Sequence, residues 1–316
     1  MTRTTKLPLF KTTLASTAGA ALLALGASAH AQQVETVEFE GPAGVTLTGV
    51  LYTPADYEAT ADHPAVVMLH GCTGIWSNRT PGATNADGTP NLQNHVEKWG
   101  LAVDSYTPRE PETLDTTDLA ARQAWQNQCA GEVNGGKVDP YTTRVLDARA
   151  AYDFLTTEER VDDLRVGLLG WSQGAQSALV EAADKSRDTN ALRDTDDLLF
   201  STTVVFYPGC GTNLGFGTSV SYGWWRPYVD LRMNMGKLDG FHGMCKTRMT
   251  RANTLAASLS SPPSIEFHDY TGADHSFDAV SQDWPEARCA EASPTGDECA
   301  MFDADIESLE WFETYL

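Results

Sequence analysis

Basic residues are scarce in this chain: 22 lysines and arginines stand against 43 aspartates and glutamates in 316 residues, a formal net charge of −21. A surface of that sign disfavours nucleic acid and anionic membranes as partners and repels polyanionic substrates. Metal-ligand spacings are missing too. Neither C-x-x-C nor H-x-x-x-H occurs, so neither a structural nor a catalytic zinc is implied. There is no internal repeat and no low-complexity linker, which leaves a single large domain as the simplest organisation. What the chain does have is a 41% apolar fraction, enough for a sizeable core and unlike a disordered chain.

Residues 1–31 stand apart. Arg3, Lys6 and Lys11 form a positive start, Leu14 to Leu25 is rich in alanine and leucine, and Ala29-His30-Ala31 is a small-x-small cleavage site. The pattern reads as a secretory signal peptide, too short and alanine-rich for a membrane anchor, followed by one domain over 32–316. Its removal takes away three positive charges and no negative ones, and it implies a periplasmic or extracellular protein. Export permits disulfides among Cys72, Cys129, Cys210, Cys245, Cys289 and Cys299. Cys289 and Cys299 bracket a Pro/Gly/Ser-containing segment and suggest a local bridge. The other four can pair in three ways or stay free, and Cys72, just past a buried strand, is a candidate free core thiol.

Apolar runs and turn signals alternate along the rest. Val37 to Glu40 and Val45 to Tyr52 predict an antiparallel hairpin, and Pro64 to His70 a strand buried on both faces. Further strands are expected at Leu101 to Tyr106, Val166 to Leu169, Thr202 to Tyr207, Tyr228 to Met235 and Ser264 to Tyr270. Helices are expected at Asn94 to Trp99, Ala120 to Gln128, Pro140 to Thr157 (capped by Asp139, with Pro140 at its first position) and Ala175 to Ala183, while Ser77 to Pro90 reads as an exposed loop. Strands alternating with helices imply an α/β fold with a mostly parallel central sheet and helices on both faces.

Gly170-Trp171-Ser172-Gln173-Gly174 lies between one of these strands and one of these helices, the arrangement of a nucleophile elbow. Such a turn lifts the serine hydroxyl out of the sheet and sets the Gln173 N–H at a helix N-terminus. A serine nucleophile needs a base and a third group to orient that base, and after a nucleophile elbow the two follow in chain order acid, then histidine. Of the histidines after Ser172, His242 starts a helix, His268 lies in a strand, and His275 falls in a loop beyond the last strand, at the carboxyl edge of the sheet. His275 is therefore the expected base. Asp239, in the turn after the 228–235 strand, is the expected acid over Asp230, Asp269 and Asp274. The oxyanion donors should be the N–H groups of Gln173 and Cys72. Trp76, Tyr106, Trp171, Trp224 and Trp225 are candidates to line an acyl or aryl pocket, core packing being the alternative.

With these motifs in order, the sequence resembles the dienelactone hydrolase-type α/β-hydrolases. The resemblance runs from about Val37 to Phe312 and is carried by His70-Gly71-Cys72-Thr73-Gly74, Asp104 to Arg109, Gly170 to Gly174, Gly236 to Asp239 with Cys245 after it, and Asp274 to Asp278. It implies an α/β-hydrolase fold, acyl transfer on a small-molecule ester through Ser172, His275 and Asp239, and no cofactor. Two departures stand out. Members that give the family its name use cysteine where Ser172 stands, and they carry a carboxylate-binding arginine soon after the histidine, whereas Ser276 to Gln282 contains none. Arg109 is a candidate for part of that substrate-binding role. A serine carboxylesterase is the reading that follows, with a lactone hydrolase or a non-catalytic secreted binding protein on the same fold as alternatives. The sequence leaves the oligomeric state open.

Overall fold

The structure is a computed structural model, describing residues 33–54, 62–93, 100–129, 138–157, 161–184, 199–210, 225–279 and 296–316. The expected signal peptide, the expected helix at 94–99, Cys289 and Trp224 lie outside the described residues. Among those described, the chain forms strands β1 (Gln33–Glu40), β2 (Thr46–Thr53), β3 (His63–Leu69), β4 (Leu101–Asp104), β5 (Val161–Trp171), β6 (Thr202–Phe206), β7 (Asp230–Gly236) and β8 (Ile265–Tyr270). The α-helices are α1 (Leu119–Gln126), α2 (Thr143–Thr157), α3 (Gln173–Glu181), α4 (His242–Ala256) and α5 (Asp297–Tyr315).

The strands make one sheet in the order β1-β2-β4-β3-β5-β6-β7-β8. β2 pairs antiparallel with β1 and β4, and every later pairing is parallel. The central strands are built for double-sided burial: Val67, Met68, Leu69, Leu168, Val204 and Val205 are inaccessible to solvent, or nearly so. Successive strand residues point to opposite faces, so Gly167 and Gly170 of β5 do as well. A β-carbon on Gly167 would meet Phe312 of α5, and one on Gly170 would meet the α3 backbone at Gly174. Helices therefore cover both faces. At the same end of β5, β6, β7 and β8 the chain leaves the sheet in loops, and there the candidate site lies.

Three details differ from the expectations. α2 begins at Thr143, not Pro140, because the Asp139 carboxylate accepts from the Tyr141 N–H at 2.7 Å and folds residues 139–142 into a turn first. α5 was not anticipated. Its buried face, Ala300, Met301, Ala304, Ser308, Trp311 and Phe312, is mostly small or separated by acidic residues, so the helical period is faint. Cys72 is not a free thiol: it is bonded to Cys129, and Cys210 to Cys245. Cys299 is also bridged, and no cysteine among the described residues is free. Nor is any described helix long and apolar enough to cross a membrane.

Candidate active site

β5 delivers Trp171 to the sheet edge and α3 begins at Gln173, with Ser172 between them at φ 47°, ψ −109°. A non-glycine residue there is strained, and neighbouring glycines make the turn sterically possible. A β-carbon on Gly174 would lie 2.1 Å from the Leu69 carbonyl oxygen, and one on Gly170 2.6 Å from the Gly174 oxygen. The elbow is thus clamped between the end of β3 and the start of α3.

The loop after β8 brings His275 to this serine. Ser172 Oγ and His275 Nε2 are 3.0 Å apart, and His275 Nδ1 and Asp239 Oδ2 are 2.7 Å apart. The Asp239 side chain is 1% exposed and His275 33%. The other carboxylate oxygen of Asp239 accepts from the Phe241 N–H at 2.7 Å, so both oxygens are engaged. A carboxylate facing Nδ1 fixes that nitrogen as the protonated one and leaves Nε2 as an acceptor toward the hydroxyl. Close approach of the two loops depends on Gly236, where a β-carbon would meet the backbone oxygens of Ala273 and Asp274 at 2.5 and 2.6 Å. The competing residues are occupied elsewhere. His242 and Asp269 pair with each other at 3.1 Å, His268 pairs with Glu307, and Asp274 accepts from the backbone N–H of His275.

Of the two expected oxyanion donors, Gln173 follows the serine in the chain and Cys72 follows Gly71. Gly71 runs directly against the serine, a β-carbon there falling 3.7 Å from Ser172 Cβ. The Cys72 carbonyl accepts from the Gln128 N–H at 2.8 Å, and the Cys72 sulfur is bonded to Cys129, so the loop is tied to the segment after α1 twice. Behind Gln173 lies a buried polar network. The Gln173 side-chain oxygen accepts from Tyr106 Oη and from Arg144 Nη1 (3.2 Å), while Arg144 Nη2 donates to the His70 carbonyl at 2.6 Å. Burial pushes the Tyr106 phenol up to about 12, so it stays a donor. His70 Nδ1 donates to the Gly71 carbonyl (2.6 Å) and Nε2 accepts from the Ser105 N–H (3.4 Å), which fixes the neutral Nδ1–H tautomer.

The residues expected to bind substrate have protein partners of their own. Arg109 is held by both oxygens of Asp147, at 2.6 and 2.9 Å, and links the turn after β4 to α2. Trp76 donates to Asp104 at 2.6 Å, Trp171 to Asp278 at 2.6 Å, and Trp225 to the Leu179 carbonyl at 3.1 Å. Tyr106, Trp171 and Trp225 are at most 2% exposed and Trp76 is 8% exposed. Each of these buried rings has placed its polar tip on a partner, as a buried indole or phenol must. Phe241 adds apolar surface beside His275, its ring centroid 6.0 Å from the imidazole, with Leu238 and Met244 exposed on the same stretch. Tyr207, 4.8 Å from His275, and Arg144 were also missed. Each owes its position to a strand end or helix face whose neighbours only the fold reveals.

Asp269, on β8, fastens the acid-bearing loop from below through Lys237, His242 and Lys246. Partial burial opposes its ionisation, but hydrogen bonds from these groups outweigh that and bring its pKa to about 2. A carboxylate with a lowered folded pKa stabilises the fold above its unfolded value near 4, and that contribution is lost as pH falls toward 2. Asp269→Asn should therefore be less stable than wild type at pH 6, with the difference in denaturation midpoint closing between about pH 4 and pH 2.

No protein-family model and no curated protein match the chain. Solved structures do. A prolyl endopeptidase superposes with a TM-score of 0.53 at 12% identity over 90% of this chain, which spans only 38% of the endopeptidase. A Klebsiella pneumoniae protein assigned as a dienelactone hydrolase gives 0.50 at 15% identity, with 90% of this chain and all of that one covered. Propionate-bound esterase 2 of Thermogutta terrifontis gives 0.51 at 15%, over 89% and 94% of the two chains. This is an α/β-hydrolase fold. Within it, the Ser172 elbow and the loops bearing Asp239 and His275 occupy the edge where this fold binds its ligands.

Proposed function

We propose that this protein is an exported serine hydrolase acting on small carboxylic esters, with Ser172 as nucleophile, His275 as general base and acid, and Asp239 orienting the imidazole. The observation that carries the reading is the continuous hydrogen-bonded line from Ser172 through His275 to a buried Asp239, set on a strained elbow. His275 Nε2 takes the hydroxyl proton as Oγ attacks the ester carbonyl. The N–H groups of Gln173 and Cys72 receive the oxyanion. His275 then returns the proton to the departing alcohol, and water repeats the sequence on the acyl-enzyme. The residues in hand need no cofactor for these steps.

Two observations favour an ester over a carboxylate-bearing lactone: Arg109 is bonded to Asp147, and apolar Phe241 borders the imidazole. The disulfides and the absence of a membrane-spanning helix among the described residues are compatible with a periplasmic or extracellular site of action. The test is hydrolysis of p-nitrophenyl butyrate by wild type beside Ser172→Ala. Wild-type turnover should fall by about 10⁴-fold or more in the variant. Activity surviving in Ser172→Ala would remove the serine from the reaction, and a wild type inert on every acyl length would point to the non-catalytic alternative.

A further inference from the structure

Asp278 sits three residues beyond His275, is 2% exposed, and has no place in the proton relay. Its two oxygens face two different elements. Oδ2 accepts from Trp171 Nε1 at 2.6 Å, on the residue immediately before Ser172. Oδ1 accepts from the hydroxyl of Tyr207, the residue immediately after β6. Tyr207 in turn lays its ring 4.8 Å from the His275 imidazole, and Phe277, fully buried, packs on Tyr207 at 5.4 Å. Burial and the adjacent Asp278 carboxylate raise the Tyr207 pKa well above its usual value, so the phenol remains a donor.

Three non-glycine residues near this triangle have left-handed backbones: Ser172 (φ 47°), Tyr207 (φ 38°) and Ser276 (φ 63°). Ser172 follows Trp171, Ser276 follows His275, and Tyr207 is itself one corner. Such conformations persist only where surrounding contacts over-determine them. The Asp278 carboxylate is placed to do so, because it joins the nucleophile strand, the end of β6 and the histidine loop at one point.

We propose that Asp278 is a positioning residue for the His275 imidazole, acting through Trp171 and Tyr207. The proposal rests on His275 serving as the base for Ser172. It acts by geometry: truncating Asp278 frees the loop so that Nε2 drifts from Oγ, and displacements of about 1 Å in such relays cost on the order of 10²-fold in rate. Asparagine can keep the strut, since its oxygen accepts from the Trp171 indole and its amide N–H₂ donates to the Tyr207 hydroxyl.

The experiment compares wild type, Asp278→Ala and Asp278→Asn by p-nitrophenyl butyrate kinetics and by the downfield proton NMR signal of His275 Nδ1–H. The signal reports the imidazole's placement against Asp239 whether or not the protein turns over an ester, so it separates failure of this proposal from failure of the esterase reading. Asp278→Ala should lose about 10- to 100-fold in kcat with KM within about threefold, and the signal should broaden away. Asp278→Asn should recover most of both. Wild-type kcat and an intact signal in Asp278→Ala would overturn the proposal, as would equal losses in the alanine and asparagine variants, which would indicate charge instead of geometry. Should Asp278→Ala not fold, Tyr207→Phe removes one strut contact and keeps the ring. It should lower kcat several-fold and broaden the signal, and no change in either would overturn the proposal.

Discussion

Asp239→Asn should lower kcat on p-nitrophenyl butyrate by roughly 10⁴-fold while the protein stays folded. The size follows from how the carboxylate is used. One oxygen accepts from His275 Nδ1 and the other from the Phe241 N–H, both at 2.7 Å. Asparagine has one oxygen for two donors. If that oxygen stays with the Phe241 N–H, the side-chain amide turns its N–H₂ to His275 Nδ1, and Nδ1 must then become the acceptor. The imidazole proton moves to Nε2, which now donates toward Ser172 Oγ instead of accepting from it. The nucleophile loses its base without any atom leaving its place. Steady-state kinetics with circular dichroism as the folding control checks this, and a loss of less than tenfold would mean that Asp239 does not set the tautomer.

The sheet was legible because its central strands are continuous apolar runs ended by glycine, proline and aspartate, and each expected strand has a counterpart in the fold. Ser172, Asp239 and His275 were picked out by the same logic: chemistry-bearing residues placed just beyond strand ends, where a parallel sheet gathers its loops. The structure brings those three within hydrogen-bond reach. Sequence order could not name the partners of the neighbouring side chains. Trp76, Tyr106, Trp171 and Arg109 lie next to the motifs in the chain, but each polar tip found an acceptor there: Asp104, the partly buried Gln173, Asp278 and Asp147. The disulfide partners of Cys72 and Cys210 were likewise out of reach, because 57 and 35 residues separate the paired cysteines and only the fold brings their loops together. Asp278 belonged to a motif already noted, yet nothing in the sequence names Trp171 and Tyr207 as its donors.

Two glycines beside Ser172 should respond to alanine very differently, and the larger effect belongs to Gly174. A β-carbon there would stand 2.1 Å from the Leu69 oxygen, 2.5 Å from the His70 oxygen and 2.6 Å from the Leu69 carbonyl carbon. These are backbone atoms, so no rotamer change relieves the overlap. Either the end of β3 moves, taking the His70-Gly71-Cys72 turn with it, or the start of α3 moves and carries Gln173 away from the serine. Gly174→Ala should therefore cost about 3 kcal/mol or more of stability and at least 10²-fold in kcat, read by chemical denaturation and ester kinetics. Gly71 has ordinary space: its nearest neighbours would be Ser172 Cβ at 3.7 Å and the Trp171 oxygen at 3.8 Å. Gly71→Ala should stay within about 0.5 kcal/mol of wild type, while its methyl group, set against Ser172, crowds an incoming acyl group and raises KM. A Gly174→Ala protein as stable as wild type would mean that β3 and α3 can separate without loss, and the clamp on the elbow would have to lie elsewhere.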